Sequence, residues 1–214
     1  MRAVVLHQYG GPEVLTLEDV ADPVAGPDEV LIDIAATALN RADLLQRMGL
    51  YPDPRRTQPE IPGLEFAGVV AAIGQRVTMW KPGDRVMGIE AGGAYAERIA
   101  THERQLLAVP ENMDLADAAA IPEVFLTAWD ALVLQGGLTS GRWALVHAGA
   151  SGVGTAAIQI AKAIGASIAV TCSPGKAELC LSLGADLVLK RSPHDWLADA
   201  QASAQIPVFD VASR

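Results

Sequence analysis

Apolar and polar positions follow two different rhythms along this chain, and the change comes near residue 110. Before it, short apolar or alternating runs are cut every few residues by Gly, Pro, Asn or Asp, which is how strands and tight turns read. Residues 3–6 form a short apolar strand, and Tyr9-Gly-Gly-Pro12 a turn after it. Residues 14–20 alternate, Leu15 and Leu17 against Thr16 and Glu18, as a strand with one wet face must. Residues 23–27 are a loop and residues 29–38 another strand. From Asn40 to Gly49 the pattern is a short helix: Asn40 can cap it, Asp43 sits in its first turn and Gly49 stops it. A Pro-rich loop over residues 51–62 leads to a strand over 63–74 with glycines at points of close packing. Lys81-Pro82-Gly83-Asp84 places Pro and Gly in the two central positions of a type II turn, which launches the next strand. Two more strands are read within residues 92–100 and 106–110. So many short strands and turns predict a compact, largely β domain.

After Pro110 the period lengthens. Residues 114–120 and 123–135 read as helices, the second ended by Gly136-Gly137. Regular alternation then begins: strand 143–148, helix 152–164, strand 167–171, helix 174–183, strand 186–189, helix 193–204 and an apolar run over 206–211. Ala156, Ile160, Ala163 and Ile164 are spaced to make one apolar face of the first of these helices. Strands alternating with helices form a parallel sheet. The predicted fold class is therefore α/β, with a β-rich domain over residues 1–120 and a doubly wound parallel sheet over 121–214. A complete sheet of this kind has about six strands, whereas the alternation supplies four, the fourth at an edge. The expectation is that part of the second domain lies outside this chain.

The chemistry concentrates where the alternation starts. A buried strand ends at His147-Ala148, a tight turn follows, and a helix opens at Thr155. Gly149 and Gly154 occupy the first and last places of G-x-G-x-x-G, with Ser151 in the middle place. Glycines let the backbone turn sharply and approach a pyrophosphate, and the helix start offers open N–H groups and the positive end of its dipole. With strand, turn and helix all in order, a dinucleotide site is a far better reading than an ordinary βα turn.

Composition narrows the partners. The net charge is −9, from 25 acidic and 16 basic residues, and the basic residues form no run. A nucleic-acid partner held by phosphate neutralisation is not expected. Cys172 and Cys180 have no C-x-x-C spacing, so reduced thiols in a cytosol-like compartment are expected. The N-terminal apolar run is too short for a signal peptide. The longest apolar stretch, residues 153–170, is interrupted by Lys162 and two glycines and reads as a buried helix rather than a membrane span. The sequence thus predicts a soluble, cytoplasmic protein without a membrane partner.

Several motifs in order carry a resemblance: Asn40-Arg-Ala-Asp43, Gly63-Leu-Glu-Phe-Ala-Gly68, Lys81-Pro-Gly-Asp-Arg85, Phe125-Leu-Thr-Ala-Trp129 and His147-Ala-Gly-Ala-Ser-Gly-Val-Gly154. Together, from Met1 to about residue 211, the chain resembles the quinone-oxidoreductase (zeta-crystallin-like) branch of the medium-chain dehydrogenase/reductase superfamily. Ser151 in the glycine turn and Tyr51 after the Asn40 helix are most similar to the stress-inducible NADPH quinone reductases. The resemblance implies a GroES-like β domain, then a Rossmann-type cofactor domain, with the active site in the cleft between them. It implies zinc-independent reduction of quinones by hydride transfer from NADPH, and a homodimer for a full-length form.

Zinc alcohol dehydrogenases of the superfamily carry a cysteine where this chain has Asn40 and a histidine where it has Leu64. A catalytic zinc needs about three protein ligands and a structural one about four, and His7, His102, His147 and His194 lie far apart in sequence. No metal site is therefore expected. His147 reads as a hydrogen-bonded residue at the strand end and Glu65 as a buried carboxylate tied to backbone or Arg.

Without a metal, the protein has to position a quinone and supply a donor to the oxygen that gains charge. Tyr51 is either that donor or a solvent-facing loop aromatic. Ser151 serves the cofactor, and by the resemblance activity as well, or else simply fills a glycine position. Asn40 and Thr127 match positions that approach the nicotinamide end in the family, while Asn40 is equally well placed as a helix cap. Gly149, Ala150, Ser151, Gly152, Val153 and Gly154 would hold the pyrophosphate. An NAD-preferring site places an acid about 20 residues after the glycine turn. Here Ser173 and Lys176 stand there, with no acid before Glu178, and would take a 2′-phosphate. Lys176 matches the family's phosphate-binding lysine. Lys190 and Arg191 replace the tyrosine the family often has after the third strand. Two further readings stay open: a non-catalytic NADPH-binding sensor or crystallin-like protein, and a reductase of α,β-unsaturated carbonyls.

Overall fold

The structure, a computed structural model, describes residues 1–51, 53–54 and 60–190. The predicted helix over 193–204, the apolar run over 206–211 and Arg191 lie outside the described residues. The chain divides into two compact units, Met1–Glu123 and Val124–Arg214.

The first unit is built on strands, as the alternating runs predict. β1 (Arg2–Leu6) and β2 (Leu15–Asp19) pair antiparallel. β3 (Glu29–Thr37), β4 (Glu65–Ile73), β5 (Arg85–Ile89), β6 (Arg98–His102) and β7 (Leu106–Ala108) form an antiparallel sheet in the order β6-β3-β4-β5-β7. The long β3 and β4 are its centre, and register shifts between Leu31 and Ile32 and between Ile34 and Ala36 bend their pairing. Val30, Ile32, Phe66, Val70, Val86, Ile99 and Leu106 bury one face as a core. Ala67 and Met87 face the other way, against Val109, Ala118 and Ala119, so neighbouring positions serve opposite faces. Gly68 has to be glycine, because a Cβ there would stand 2.2 Å from the Asp33 carbonyl oxygen.

Two short helices belong to this unit. α1 (Arg41–Arg47) follows β3, and α2 (Leu115–Ala118) starts from an Asp114 side chain that accepts the Ala116 N–H. α3 (Pro122–Trp129) begins at the end of this unit and continues as a π-helical stretch over Asp130–Gln135. The single helix predicted over 123–135 is thus two kinds of helix.

The second unit contains β8 (Trp143–Val146), α4 (Gly152–Ala163), β9 (Ser167–Cys172), a 3-10 turn at Pro174–Lys176, α5 (Ala177–Ser182) and β10 (Leu187–Lys190). The three strands are parallel, in the order β10-β9-β8. This is the alternating arrangement predicted, in the 3-2-1 half of the doubly wound order. α4 buries more than the predicted stripe: Ala157, Ile158 and Ala161 are buried beside Ala156 and Ile160, while Ala163 is exposed. The helix packs on β8 and β9 through a broad face, against Ile168 and Val170 of β9 among others. Among the described residues, no helix is long and apolar enough to cross a membrane.

Candidate functional site

The glycine turn is shaped differently from the pattern's simplest reading. The residue that takes the left-handed conformation is Ala148, at φ +56°, not a glycine. Gly149 is needed because a Cβ there would lie 2.4 Å from Val170 Cβ on β9. Gly154 is needed because its Cβ would lie 2.4 Å from the Ala148 carbonyl oxygen and 2.7 Å from Gly149 Cα. Both glycines therefore serve contacts inside the protein, strand against turn and helix against turn. The sharp bend itself is closed by the Ser151 N–H donating to the Ala148 carbonyl at 2.8 Å.

Ser151 is the N-cap of α4. Its Oγ accepts the Gly154 N–H at 3.1 Å, and its carbonyl accepts the Thr155 N–H at 2.8 Å. This leaves the N–H groups of Gly152 and Val153 without a partner among the described residues, at the positive end of a 12-residue helix. The arrangement is a ready anion site. The N-cap role is one the sequence reading did not weigh, although a serine directly before a helix signals it.

The end of β9 lies against this turn. The Thr171 carbonyl accepts the Gly149 N–H at 2.9 Å, and Thr171 Oγ1 accepts the Ala148 N–H at 3.3 Å. His147 Nδ1 lies 3.1 Å from the same hydroxyl, as expected of a hydrogen-bonded strand-end residue. Ser173 and Lys176 follow two and five residues later, both exposed in the 3-10 turn. Parallel pairing brings these two to the sheet edge that holds the glycine turn. Thr127 is exposed on α3. Val124, one turn earlier on the same helix, stands where a Cβ on Gly152 would come within 2.9 Å of its Cγ1. α3 thus runs beside the glycine turn, and Thr127 shares the Val124 side of the helix.

The first unit contains a buried acid cluster that spacing in the sequence did not reveal. Asn40 and Asp43 form a capping box at the start of α1, in which Asp43 Oδ2 accepts the Asn40 N–H at 2.6 Å. The Tyr95 hydroxyl donates to the same oxygen at 2.8 Å. Asn40 Nδ2 donates to Glu65 Oε1 at 2.6 Å, and the Glu123 N–H, in the first turn of α3, donates to Glu65 Oε2 at 2.8 Å. Glu65 is 1% exposed and Asp43 5%. Glu65 is therefore the buried, backbone-tied carboxylate expected, but its second partner is Asn40 and not an arginine.

Burial raises the pKa of each carboxyl in this cluster. Desolvation pushes the Asp43 carboxyl above its ordinary range, against the pull of its hydrogen bonds from Asn40 and Tyr95. Desolvation likewise raises Glu65, with the Asp43 charge adding to it, and raises Glu123, with Glu65 and Asp43 adding. Tyr95 is held protonated by burial and by its bond to Asp43.

Tyr51 is exposed in the bend that follows α1 and Gly49, which has φ +72°. Its neighbours in the loop fall largely outside the described residues. The structure thus gathers the residues predicted for the cofactor in the second unit around one turn, and joins Asn40 to Glu65 in the first. Among the described residues, no group of three or more His, Cys, Asp or Glu is placed to hold a metal ion. Cys172 and Cys180 are free and buried.

Comparison with known proteins agrees with both halves. The profile described as "Alcohol dehydrogenase GroES-like domain" matches residues 26–111, and the one described as "Zinc-binding dehydrogenase" matches residues 152–212. A 2-methylene-furan-3-one reductase of Solanum lycopersicum is 41% identical over 92% of this chain and 53% of its own. A quinone oxidoreductase of Lama guanicoe is 39% identical over 76% of this chain and 50% of its own. The solved Escherichia coli quinone oxidoreductase complexed with NADPH superposes with a TM-score of 0.80, at 32% identity over 88% of this chain and 58% of that one. The chain spans about half the length of the curated relatives it matches. A GroES-like region followed by a Rossmann-type half sheet, matched at this identity, shows that the chain belongs to the medium-chain dehydrogenase/reductase superfamily, with quinone-oxidoreductase (zeta-crystallin-like) proteins among its relatives.

Proposed function

We propose that this chain carries the cofactor site of a zinc-independent, NADPH-dependent quinone reductase. The observation that carries the reading is the glycine turn with the open N–H groups of Gly152 and Val153, beside a β9 end bearing Ser173 and Lys176. Those two N–H groups and the helix dipole would receive the pyrophosphate, with Gly149, Ala150 and Gly154 keeping the backbone close. Lys176 and Ser173 would take the 2′-phosphate, Lys176 supplying the charge. When bound, NADPH supplies the hydride. Asn40 and Thr127 would meet its nicotinamide end, and Tyr51 would donate to the quinone oxygen that gains charge. The quinone takes up the hydride and a proton to leave as the hydroquinone. Ser151 would line the pyrophosphate while capping α4. We read residues 1–120 as the GroES-like domain and 121–214 as the cofactor domain of a protein that acts as a cytoplasmic homodimer.

The donors at the zinc positions of the superfamily do not fit a metal. Asn40 is committed through Nδ2 to Glu65 and Leu64 is a buried hydrocarbon. No step is therefore assigned to zinc.

The test is quinone-dependent oxidation of NADPH by the purified chain, followed at the nicotinamide absorbance, with NADH in parallel. Turnover with NADPH over NADH is expected. Binding of NADPH seen by fluorescence, without turnover on ortho-quinones, para-quinones or enones, would leave the non-catalytic sensor in its place. The relative that reduces 2-methylene-furan-3-one favours a second reading, reduction of α,β-unsaturated carbonyls on the same site. A higher kcat/KM on enones than on quinones would select it.

A further inference from the structure

Cys172 and Cys180 play no part in the cofactor reading, yet they share one place in the core. β9 alternates, so that Ile168, Val170 and Cys172 enter one apolar cluster while Ala169 enters another. α5 meets the first of these clusters through Cys180, its one buried residue, with Leu179 and Leu181 exposed on either side. The two thiols are hydrogen-bonding neighbours, and burial together with that bond raises Cys180 above the ordinary thiol range.

Only residues 173–179 separate the pair in sequence, and they include Ser173 and Lys176. That turn is joined tightly to α5. The Lys176 N–H donates to the Ser173 carbonyl at 2.9 Å, the Ala177 N–H donates to the Pro174 carbonyl, and Lys176 is the N-cap of the helix. α5 itself has six residues. A helix so short, anchored by one fully buried side chain, opens locally at low cost and gives solvent access to both sulfurs.

We propose that Cys172 and Cys180 form a reversible disulfide that closes a ring around the Ser173–Lys176 turn and weakens its hold on a 2′-phosphate. The proposal rests on the reading of that turn given above. The oxidant is a low-molecular-weight disulfide. Cys172, which is 5% exposed against 0% for Cys180, attacks one of its sulfurs as the thiolate and expels a small thiol, leaving a mixed disulfide. Cys180 then attacks the Cys172 sulfur and expels the second small thiol. Two protein thiols and one small disulfide become one protein disulfide and two small thiols, which carry away both protons. A disulfide holds its sulfurs about 2.05 Å apart, much closer than hydrogen-bonded thiols. Its formation therefore draws α5 toward the end of β9 and moves Lys176 with it.

The test equilibrates the purified chain in glutathione buffers of graded ratio and reads the trapped products by intact mass and peptide mapping. The chain is expected to pass from two free thiols to one internal bond joining 172 to 180. Its absence at the most oxidising ratio overturns the proposal. In the oxidised chain the Kd for NADP+ should rise at least about fivefold, the lower end of ordinary coupling, and that for NAD+ much less. Linkage requires the converse, so saturating NADP+ should move the half-oxidation ratio toward oxidant by the same factor. Cys180→Ala and Cys172→Ser should keep their NADP+ affinity in the oxidising buffer; should neither fold, the wild-type shift decides alone. Loss of affinity on oxidation in either variant places the cause elsewhere and overturns the switch. A disulfide that forms without changing NADP+ affinity also overturns it and leaves the cofactor reading standing. A reduced chain that binds NADP+ no better than NAD+ overturns the 2′-phosphate reading, and the switch with it, whatever the thiols do.

Discussion

Ser151 has two claims on one hydroxyl, and the structure separates them by geometry. As an N-cap its oxygen accepts the Gly154 N–H, which leaves its proton and a second lone pair for a ligand. Replacing it with alanine removes the cap, and chemical denaturation should show a loss of about 1 kcal/mol, the ordinary worth of such a cap. A parallel loss of NADPH affinity is expected only if the hydroxyl also meets the pyrophosphate, so a melt and a binding isotherm on Ser151→Ala distinguish the two roles. Ala148 carries the opposite kind of information. It holds φ +56°, a conformation that costs an ordinary residue roughly 1–2 kcal/mol, and it is exposed. Glycine would relieve that strain but adds about 0.5–1 kcal/mol of chain entropy to the unfolded state. Ala148→Gly should therefore raise stability by about 0.5–1 kcal/mol; an unchanged or lowered denaturation midpoint would mean that the turn relaxes elsewhere.

At the scale of elements, the site depends on which strand ends share an edge. β8 and β9 are parallel, so the glycine turn and the Ser173–Lys176 turn emerge together, tied by the bonds from Gly149 and Ala148 to Thr171. Lys176 is exposed and far in sequence from the glycine turn. Lys176→Glu should raise the Kd for NADPH at least tenfold, on the order of 1.4 kcal/mol, and that for NADH much less. Equal weakening for both would remove Lys176 from the 2′-phosphate. α3 adds a different point. Its first turn contributes the Glu123 N–H to Glu65, and the helix then passes into a π-helical stretch at Asp130–Gln135. Helix-period reasoning finds the apolar face of such a segment but not its winding, because α and π turns place apolar residues at nearly the same spacings over one or two turns.

For the whole molecule the acid cluster makes a statement about pH. Asp43, Glu65 and Glu123 all have folded-state values raised above those of the unfolded chain. A carboxyl raised in this way favours the folded state fully below its unfolded value, and that contribution is lost as pH rises through the folded value. The cluster's contribution is therefore fully present below about pH 4 and is lost as the pH rises above that. The exposed carboxylates Asp22, Asp28 and Glu97 are lowered by their partners and run the other way, giving their support above their unfolded values. Glu123 isolates the first effect, because burial is its own largest cost and the charges of Glu65 and Asp43 raise it further. Glu123→Gln should raise the melting temperature relative to the parent more at pH 8 than at pH 5. A gain of the same size at both would show that Glu123 is not the source of the slope.

Much of this molecule is local, and was legible as such. The β strands, the Asn40–Asp43 cap, the Lys81–Asp84 turn with Gly83 at φ +93°, and the strand–turn–helix unit at 143–163 depend on neighbours a few residues away, so alternation, period and turn chemistry are enough to find them. The dehydrogenase character of the second unit was legible for the same reason, since its glycines stand at fixed offsets from one strand. What the tertiary structure decided is contact between distant segments. It alone shows that Gly149 is required by Val170, that the left-handed residue is Ala148, and that α4 buries a broad face against two strands. It alone brings positions 40, 43, 65, 95 and 123 into one buried network. No spacing encodes that network, because its members share neither an element nor a period: the register of the sheet and the start of α3 place them together, and burial then makes their charges matter.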